Sequence, residues 1–177
     1  MQLLKIYYAY FSPGNTTEKV VSHIASSFQN YPVESINLTD YATRQEDYYF
    51  KENELLIIGV PAYGGRVPAP VVDALRHFTG SNTPVVLVAT YGNRDIDDTL
   101  IELKKNVIDK GFIPVGAASF VCQHTFLKEC AEGRPDEEDL KMAGEFGDKL
   151  KERLRLLVTY DAGDLEVPGT FPYTNPP

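Results

Sequence analysis

The chain has 177 residues, 43% of them hydrophobic and 24% charged, with a formal charge of −8 at pH 7. That length fits one domain, the apolar share supplies a core and excludes a disordered chain, and the negative balance excludes the phosphate neutralisation on which nucleic-acid binding depends. The first apolar stretch, residues 3–11, contains Lys5 and the rings of Tyr7, Tyr8, Tyr10 and Phe11. It is too short and too polar for a signal peptide or a membrane span, so neither export nor a membrane is expected. Two cysteines, Cys122 and Cys130, are too few for a disulfide framework, and reduced thiols in a cytoplasmic protein are the expectation.

Taken in chain order, residues 3–11 read as a strand and residues 16–28 as a helix, with Val20, Val21, Ile24, Ala25 and Phe28 at helical spacing. A short strand over 33–38 follows, then a polar and aromatic stretch over 39–53 that takes no assignment. The pattern resumes with a strand over 54–60, a helix over 69–78, a strand over 84–90, a helix over 96–110, a strand over 112–122 and a helix over 136–156. In the last helix Leu140, Ala143, Phe146, Leu150 and Leu154 form a stripe for core packing, and Asp136, Glu137, Glu138 and Asp139 read as an acidic first turn that suits the helix dipole.

Alternating strands and helices imply right-handed βαβ crossovers, and the runs LLIIGV and PVVLVAT are apolar at nearly every position, as strands covered on both faces must be. The fold class is α/β, a three-layer sandwich around a five-stranded parallel sheet. Such sheets bind ligands beyond the strand carboxyl ends, where the strand order reverses, so the residues directly after each strand carry the functional information.

Three of these loops stand out. After the first strand come Ser12, Pro13, Gly14, Asn15, Thr16 and Thr17, dense in hydroxyls and in residues that tolerate positive φ. The N–H groups at a helix start carry about half a positive charge, so a phosphate monoester can sit there among hydroxyl donors without a lysine. The same residues also serve as ordinary helix caps. After the third strand, Pro61, Ala62, Tyr63, Gly64, Gly65 and Arg66 bring together a ring, two glycines and a guanidinium. An isoalloxazine would use all of these, with tyrosine as a stacking face and glycine letting a peptide carbonyl turn toward a ring N–H. A plain Gly-Gly turn before a Pro-started helix is the other reading. After the fourth strand, Thr90, Tyr91, Gly92, Asn93 and Arg94 repeat the aromatic, glycine and arginine theme, suggesting a flat ring between aromatic walls.

Rival chemistries fail on residue grounds. No G-x-x-x-x-G-K-[ST] occurs and no G-x-G-x-x-G follows the first strand, which removes ATP and dinucleotide readings. A receiver domain would need acidic residues where Ala9-Tyr10-Phe11 and Gly59-Val60-Pro61 stand. Cys122 lacks the Cys-x5-Arg cradle of a phosphatase, since Lys128 occupies the arginine position.

Through the segments YFSPGNTTEKV, IIGVPAYGGRVPAP, VATYGNRDIDDTLIEL, KGFIPVGAASF and QHTFLKECAEGRPDEEDL, the sequence resembles the flavodoxin family over nearly its whole length. Within that family it is most similar to the flavodoxin-like domain at the front of flavodoxin/ferredoxin fusion proteins. The resemblance implies FMN as cofactor and a sheet of order 2-1-3-4-5. It implies phosphate binding by Ser12, Gly14, Asn15, Thr16 and Thr17, and ring binding by Pro61, Ala62, Tyr63, Gly64, Gly65, Arg66, Thr90, Tyr91, Gly92, Asn93 and Arg94. The usual family loop has Thr-Gly where Gly14-Asn15 stand, so one hydroxyl donor is lost, while Asn15 keeps the left-handed turn accessible. Residues 1–158 are then an FMN-binding domain and residues 159–177 a C-terminal extension or linker stub, falling roughly where the fusion relatives enter an iron-sulfur domain. The chain lacks the four close cysteines that an iron-sulfur cluster needs.

The function expected on this basis is electron transfer through FMN to or from a redox partner such as a ferredoxin or an iron-sulfur domain. Acidic surroundings and Arg66 or Arg94 near the ring would act on its potential in opposite directions. Alternatively the chain is an FMN-dependent NAD(P)H:quinone-type reductase, with His124 and Thr125 in a substrate pocket and His124 delivering protons, although a lone histidine also serves as a structural hydrogen-bonding group. A third reading is an adaptor that keeps the fold without the cofactor. No metal site is expected.

Overall fold

The computed structural model describes residues 2–92, 94–156 and 165–174; Asn93 and the domain boundary at 158 lie outside them. The elements are β1 (Lys5–Tyr10), α1 (Thr16–Ser26), β2 (Val33–Asn37), β3 (Tyr48–Phe50), β4 (Glu54–Pro61), α2 (Ala69–Ala74), β5 (Phe78–Gly80), β6 (Thr83–Tyr91), α3 (Thr99–Ile108), β7 (Phe112–Val121) and α4 (Glu137–Leu156). Five strands form one sheet in the order β2-β1-β4-β6-β7, and every pairing in it is parallel.

Successive side chains of a strand point to opposite faces, and the central strands use both. Leu55 and Ile57 of β4 and Val86 and Val88 of β6 join a core with Val20, Val21 and Ile24 of α1 and Ala143, Leu150 and Leu154 of α4. Their alternates Leu56, Ile58 and Val60, and Val85, Leu87 and Ala89, join a second core with Val71 of α2 and Leu100, Leu103 and Val107 of α3. Two helical layers therefore sandwich the sheet. Because β2 lies to one side of β1 and β4 to the other, the carboxyl ends of β1 and β4 form the topological switch point.

Three details differ from the sequence reading. Residues 39–53 contain a 3-10 turn, Thr43–Gln45, and the short strand β3. That strand pairs with β5 in a separate two-stranded sheet, anchored by Phe50 against Tyr7, Phe78 and Phe112 at centroid distances of 5.0–5.3 Å. The helix expected over 69–78 ends at Ala74, and after a 3-10 turn Phe78 leaves to pair with Tyr48. On α4 the buried stripe is Asp139, Ala143, Gly147, Leu150 and Leu154. A Cβ on Gly147 would stand 2.5 Å from Ser27 Oγ and 2.8 Å from the Ile24 carbonyl, so the helix backbones of α4 and α1 approach closely there. Pro114 is accommodated because β7 is an edge strand and the register slips beside it, Val85 facing Pro114 and Val86 facing Gly116. Among the described residues no helix is long and apolar enough to cross a membrane.

Candidate cofactor site

Eight of the sequence-predicted residues, Thr16, Pro61, Ala62, Tyr63, Gly64, Thr90, Tyr91 and Gly92, line one cavity of about 290 Å³ at the strand carboxyl ends. Cys122, Gln123, His124, Thr125 and Phe126, from the loop after β7, close its remaining side. None of these lining residues carries an Asp, Glu, Lys or Arg side chain. A mostly apolar pocket with a few convergent polar groups is the usual form of a small-molecule site.

The loop after β1 divides its hydroxyls between structure and cavity. Asn15, the residue before α1, adopts φ 60° and ψ 4°, in the left-handed region that asparagine tolerates. The Ser12 hydroxyl accepts the Glu18 N–H at 3.0 Å, and the Ser12 N–H donates to the Thr39 hydroxyl at 2.8 Å. Thr17 and Thr90 share a buried hydroxyl–hydroxyl bond of 2.7 Å that ties the first loop to the third. Ser12 and Thr17 are thus committed to holding the loop, while Thr16 faces the cavity. The amides of Thr16 and Thr17 have no intrahelical acceptor, as in any helix start, and no acceptor among the described residues.

The loop after β4 is a tight hairpin. Tyr63 and Arg66 exchange backbone bonds of 3.0 and 3.1 Å around Gly64 at φ 60° and Gly65 at φ 79°. Two positive φ values define a type I′ turn, which explains the glycine pair. The Ala62 N–H donates to the Thr90 carbonyl at 2.7 Å and the Asp98 N–H to the Gly65 carbonyl at 2.9 Å. The Gly64 carbonyl has no partner among the described residues.

Neither arginine is brought into the cavity. Arg66 turns behind the hairpin, where its Nε and Nη2 donate to Glu102 at 2.8 and 2.7 Å, and Glu102 also accepts the Val67 N–H at 2.8 Å. The Tyr173 ring lies 4.1 Å from the guanidinium. Arg66 instead borders a separate cavity of about 380 Å³ with Phe11, Val67, Pro68 and Val72. The sequence reading puts Arg66 or Arg94 near the ring; in the structure neither lines this cavity. Glu102 neutralises the first, while the second is 71% exposed and paired with Asp97.

The fourth wall is a folded excursion. Cys122 N–H donates to the Tyr91 carbonyl at 2.8 Å, Gln123 N–H to Arg134 at 2.9 Å and His124 N–H to Cys130 at 3.0 Å; the Cys130 thiol reaches the Gly92 carbonyl at 3.0 Å. His124 Nδ1 accepts the amides of Phe126 and Leu127 at 3.1 and 3.0 Å, so the proton of the neutral ring sits on Nε2. Gly92 is needed for this packing, because a Cβ there would stand 2.5 Å from His124 Cδ2. Burial, assisted by the charge of Asp139, pushes the Cys122 thiol up to about 12, which keeps it protonated and unreactive. The sequence reading singled out only His124 and Thr125 in this wall. Gln123 carries the same mark as the other loops, a position just after a strand, whereas Phe126 lies further along the excursion.

At the far end of the excursion Arg134 donates to Asp139 through Nε at 2.7 Å and through Nη2. Asp136 and Asp139 exchange backbone-to-carboxylate bonds of 3.0 and 2.9 Å in a capping box. The Arg134 guanidinium holds the Asp139 carboxyl below the usual carboxylate range. Asp139 is therefore a buried structural group, where the sequence suggested a merely favourable acidic turn.

Sequence comparison finds no matching family model and no matching curated protein. Solved structures do match in fold. A flavodoxin from the domain Archaea is 13% identical over 86% of this chain and 99% of its own, with a TM-score of 0.59. A flavodoxin from Streptococcus pneumoniae is 14% identical over 84% of this chain and 99% of its own, with a TM-score of 0.60. The rubredoxin oxygen:oxidoreductase of Desulfovibrio gigas is 15% identical over 86% of this chain and 38% of its own, with a TM-score of 0.58. The chain has a flavodoxin-like fold.

Proposed function

We propose that the cavity holds FMN and that the chain is an electron-transfer flavoprotein. The observation that carries this reading is a juxtaposition at one switch point. Two first-turn amides with no acceptor among the described residues and the Thr16 hydroxyl stand at the edge of a cavity walled by Tyr63 and Tyr91 and lined by no Asp, Glu, Lys or Arg. Bound FMN supplies the one- or two-electron redox chemistry, and the protein binds and orients it. The α1 amides and Thr16 hold the phosphate, the two tyrosines flank the ring, and the Gly64 carbonyl is an acceptor for a ring N–H. The middle peptide of a Gly-Gly turn can rotate between type I′ and type II′ forms while the Tyr63–Arg66 bonds stay in place.

Residues 1–158 form the flavin domain in this reading, residues 159–177 an extension of it, and the setting is cytoplasmic. The redox partner is a ferredoxin or an iron-sulfur domain, separate or on the same polypeptide as in the fusion proteins. The formal charge of −8 steers a partner that presents positive charge. Purified protein should carry a yellow chromophore, and denaturation should release FMN in equal amount. Folded, colourless protein that takes up no added FMN would refute the reading.

One observation favours a reductase acting on a small acceptor: His124 lines the same cavity with its proton on Nε2, where it can serve as a donor. NAD(P)H oxidation coupled to a quinone separates the two. A carrier turns over only when a partner protein is added, whereas a reductase turns over alone.

A further inference from the structure

We infer that Thr125, in the loop after β7, is a ligand of the cofactor's phosphoryl group, so that the anion is held by two loops instead of one. This rests on the FMN reading above. The carrying observation is a gap beside Gly14. The point that a Cβ on Gly14 would occupy lies 3.8 Å from Thr125 Oγ1 and 4.0 Å from Thr16 Oγ1, so two hydroxyls from different loops face one small space next to the first-turn amides of α1. Glycine at position 14 leaves that space open. Ser12 and Thr17 are buried and do not line the cavity, the Ser12 oxygen accepting the Glu18 amide and Thr17 sharing a bond with Thr90, whereas Thr125 lines the cavity and has no hydrogen-bond partner among the described residues.

The backbone around Thr125 is held in place, as a ligand requires. His124 N–H is bonded to Cys130, and the amides of Phe126 and Leu127 close onto His124 Nδ1, so Thr125 sits inside a turn fixed on both sides. The Thr16 hydroxyl lies beside the Cys122 thiol. Hydroxyl-to-anion bonds are charge-assisted and are the strong members of their class.

The test compares FMN with riboflavin, which has the same ring and no phosphate, on wild type, Thr125→Val and Thr125→Ser. Thr125 is exposed, so the valine variant should fold, and its circular dichroism checks that. The expected result is an FMN dissociation constant raised about tenfold or more in Thr125→Val, as for loss of a hydrogen bond to a charged group, with riboflavin affinity unchanged and FMN affinity recovered in Thr125→Ser. FMN affinity unchanged in Thr125→Val, or an equal loss for both flavins, would overturn the inference while leaving the FMN reading intact. Wild-type protein that binds neither flavin would overturn the FMN reading and this inference with it.

Discussion

Asp139 shows how much a single side chain can differ from its sequence context. It belongs to a run of four acids, yet it is buried and bonded to Arg134 and to the Asp136 amide. Apolar identity drew the stripe through Leu140 and Phe146, and Phe146 does pack at the core's edge, but the fully buried positions are 139, 143, 147, 150 and 154, the same helical spacing carried by one acid and one glycine. Only contact with α1 and with Arg134 distinguishes the two registers, and neither is a local property. The folded carboxyl titrates below its unfolded value of about 3.9. Its contribution to stability is therefore fully present above that value and is lost as the pH falls through the folded value. Asp139→Asn should lower stability by about 2 kcal/mol at pH 7, and the gap from wild type should shrink progressively below about pH 4. Urea unfolding across that range measures both. A gap that stayed constant into strong acid would remove the ion pair from the account.

At the scale of elements, the strands β4 and β6 and the helices α1 and α3 were legible because their apolar periods are long and regular. Residues 39–53 were not, because β3 is a three-residue strand whose place depends on Phe78 and Phe112 far along the chain. Nor was the packing of residues 165–174, which arises from contacts distant in sequence. Thr170 and Thr174 each donate a backbone and a hydroxyl hydrogen to buried Asp98, whose own amide holds the Gly65 carbonyl. Tyr173 covers Arg66. The Gly64–Gly65 hairpin is thus braced from behind by α3 and this segment. Its two glycines should respond differently to substitution. Asn at the first position of a type I′ turn is a preferred residue, so Gly64→Asn should be nearly neutral, and a Cβ there meets nothing within 4 Å. Gly65→Ala should cost about 1–2 kcal/mol for its left-handed backbone. Paired thermal unfolding of the two variants checks this ranking, and equal losses would contradict the turn assignment.

For the molecule as a whole, sequence alone carried the α/β class and the positions of three loops, since both follow from local pattern and from the rule that parallel sheets place their sites at strand ends. It did not carry the destination of the arginines. Arg66 and Arg94 stand beside the cavity-lining loops in sequence, but charge finds its nearest partner in space. Glu102, thirty-six positions away, reaches Arg66 first. The cavity that remains has aromatic walls, a helix start at one edge and no Asp, Glu, Lys or Arg in its lining, so in the proposed flavin reading ring stacking and main-chain N–H groups would do the binding. Calorimetric titration of flavin-stripped protein with FMN tests this most directly. The account predicts saturable binding of one FMN per chain, tighter than riboflavin because the phosphate is held. Properly folded protein that gave no heat of binding with FMN, or bound riboflavin and FMN equally, would contradict it.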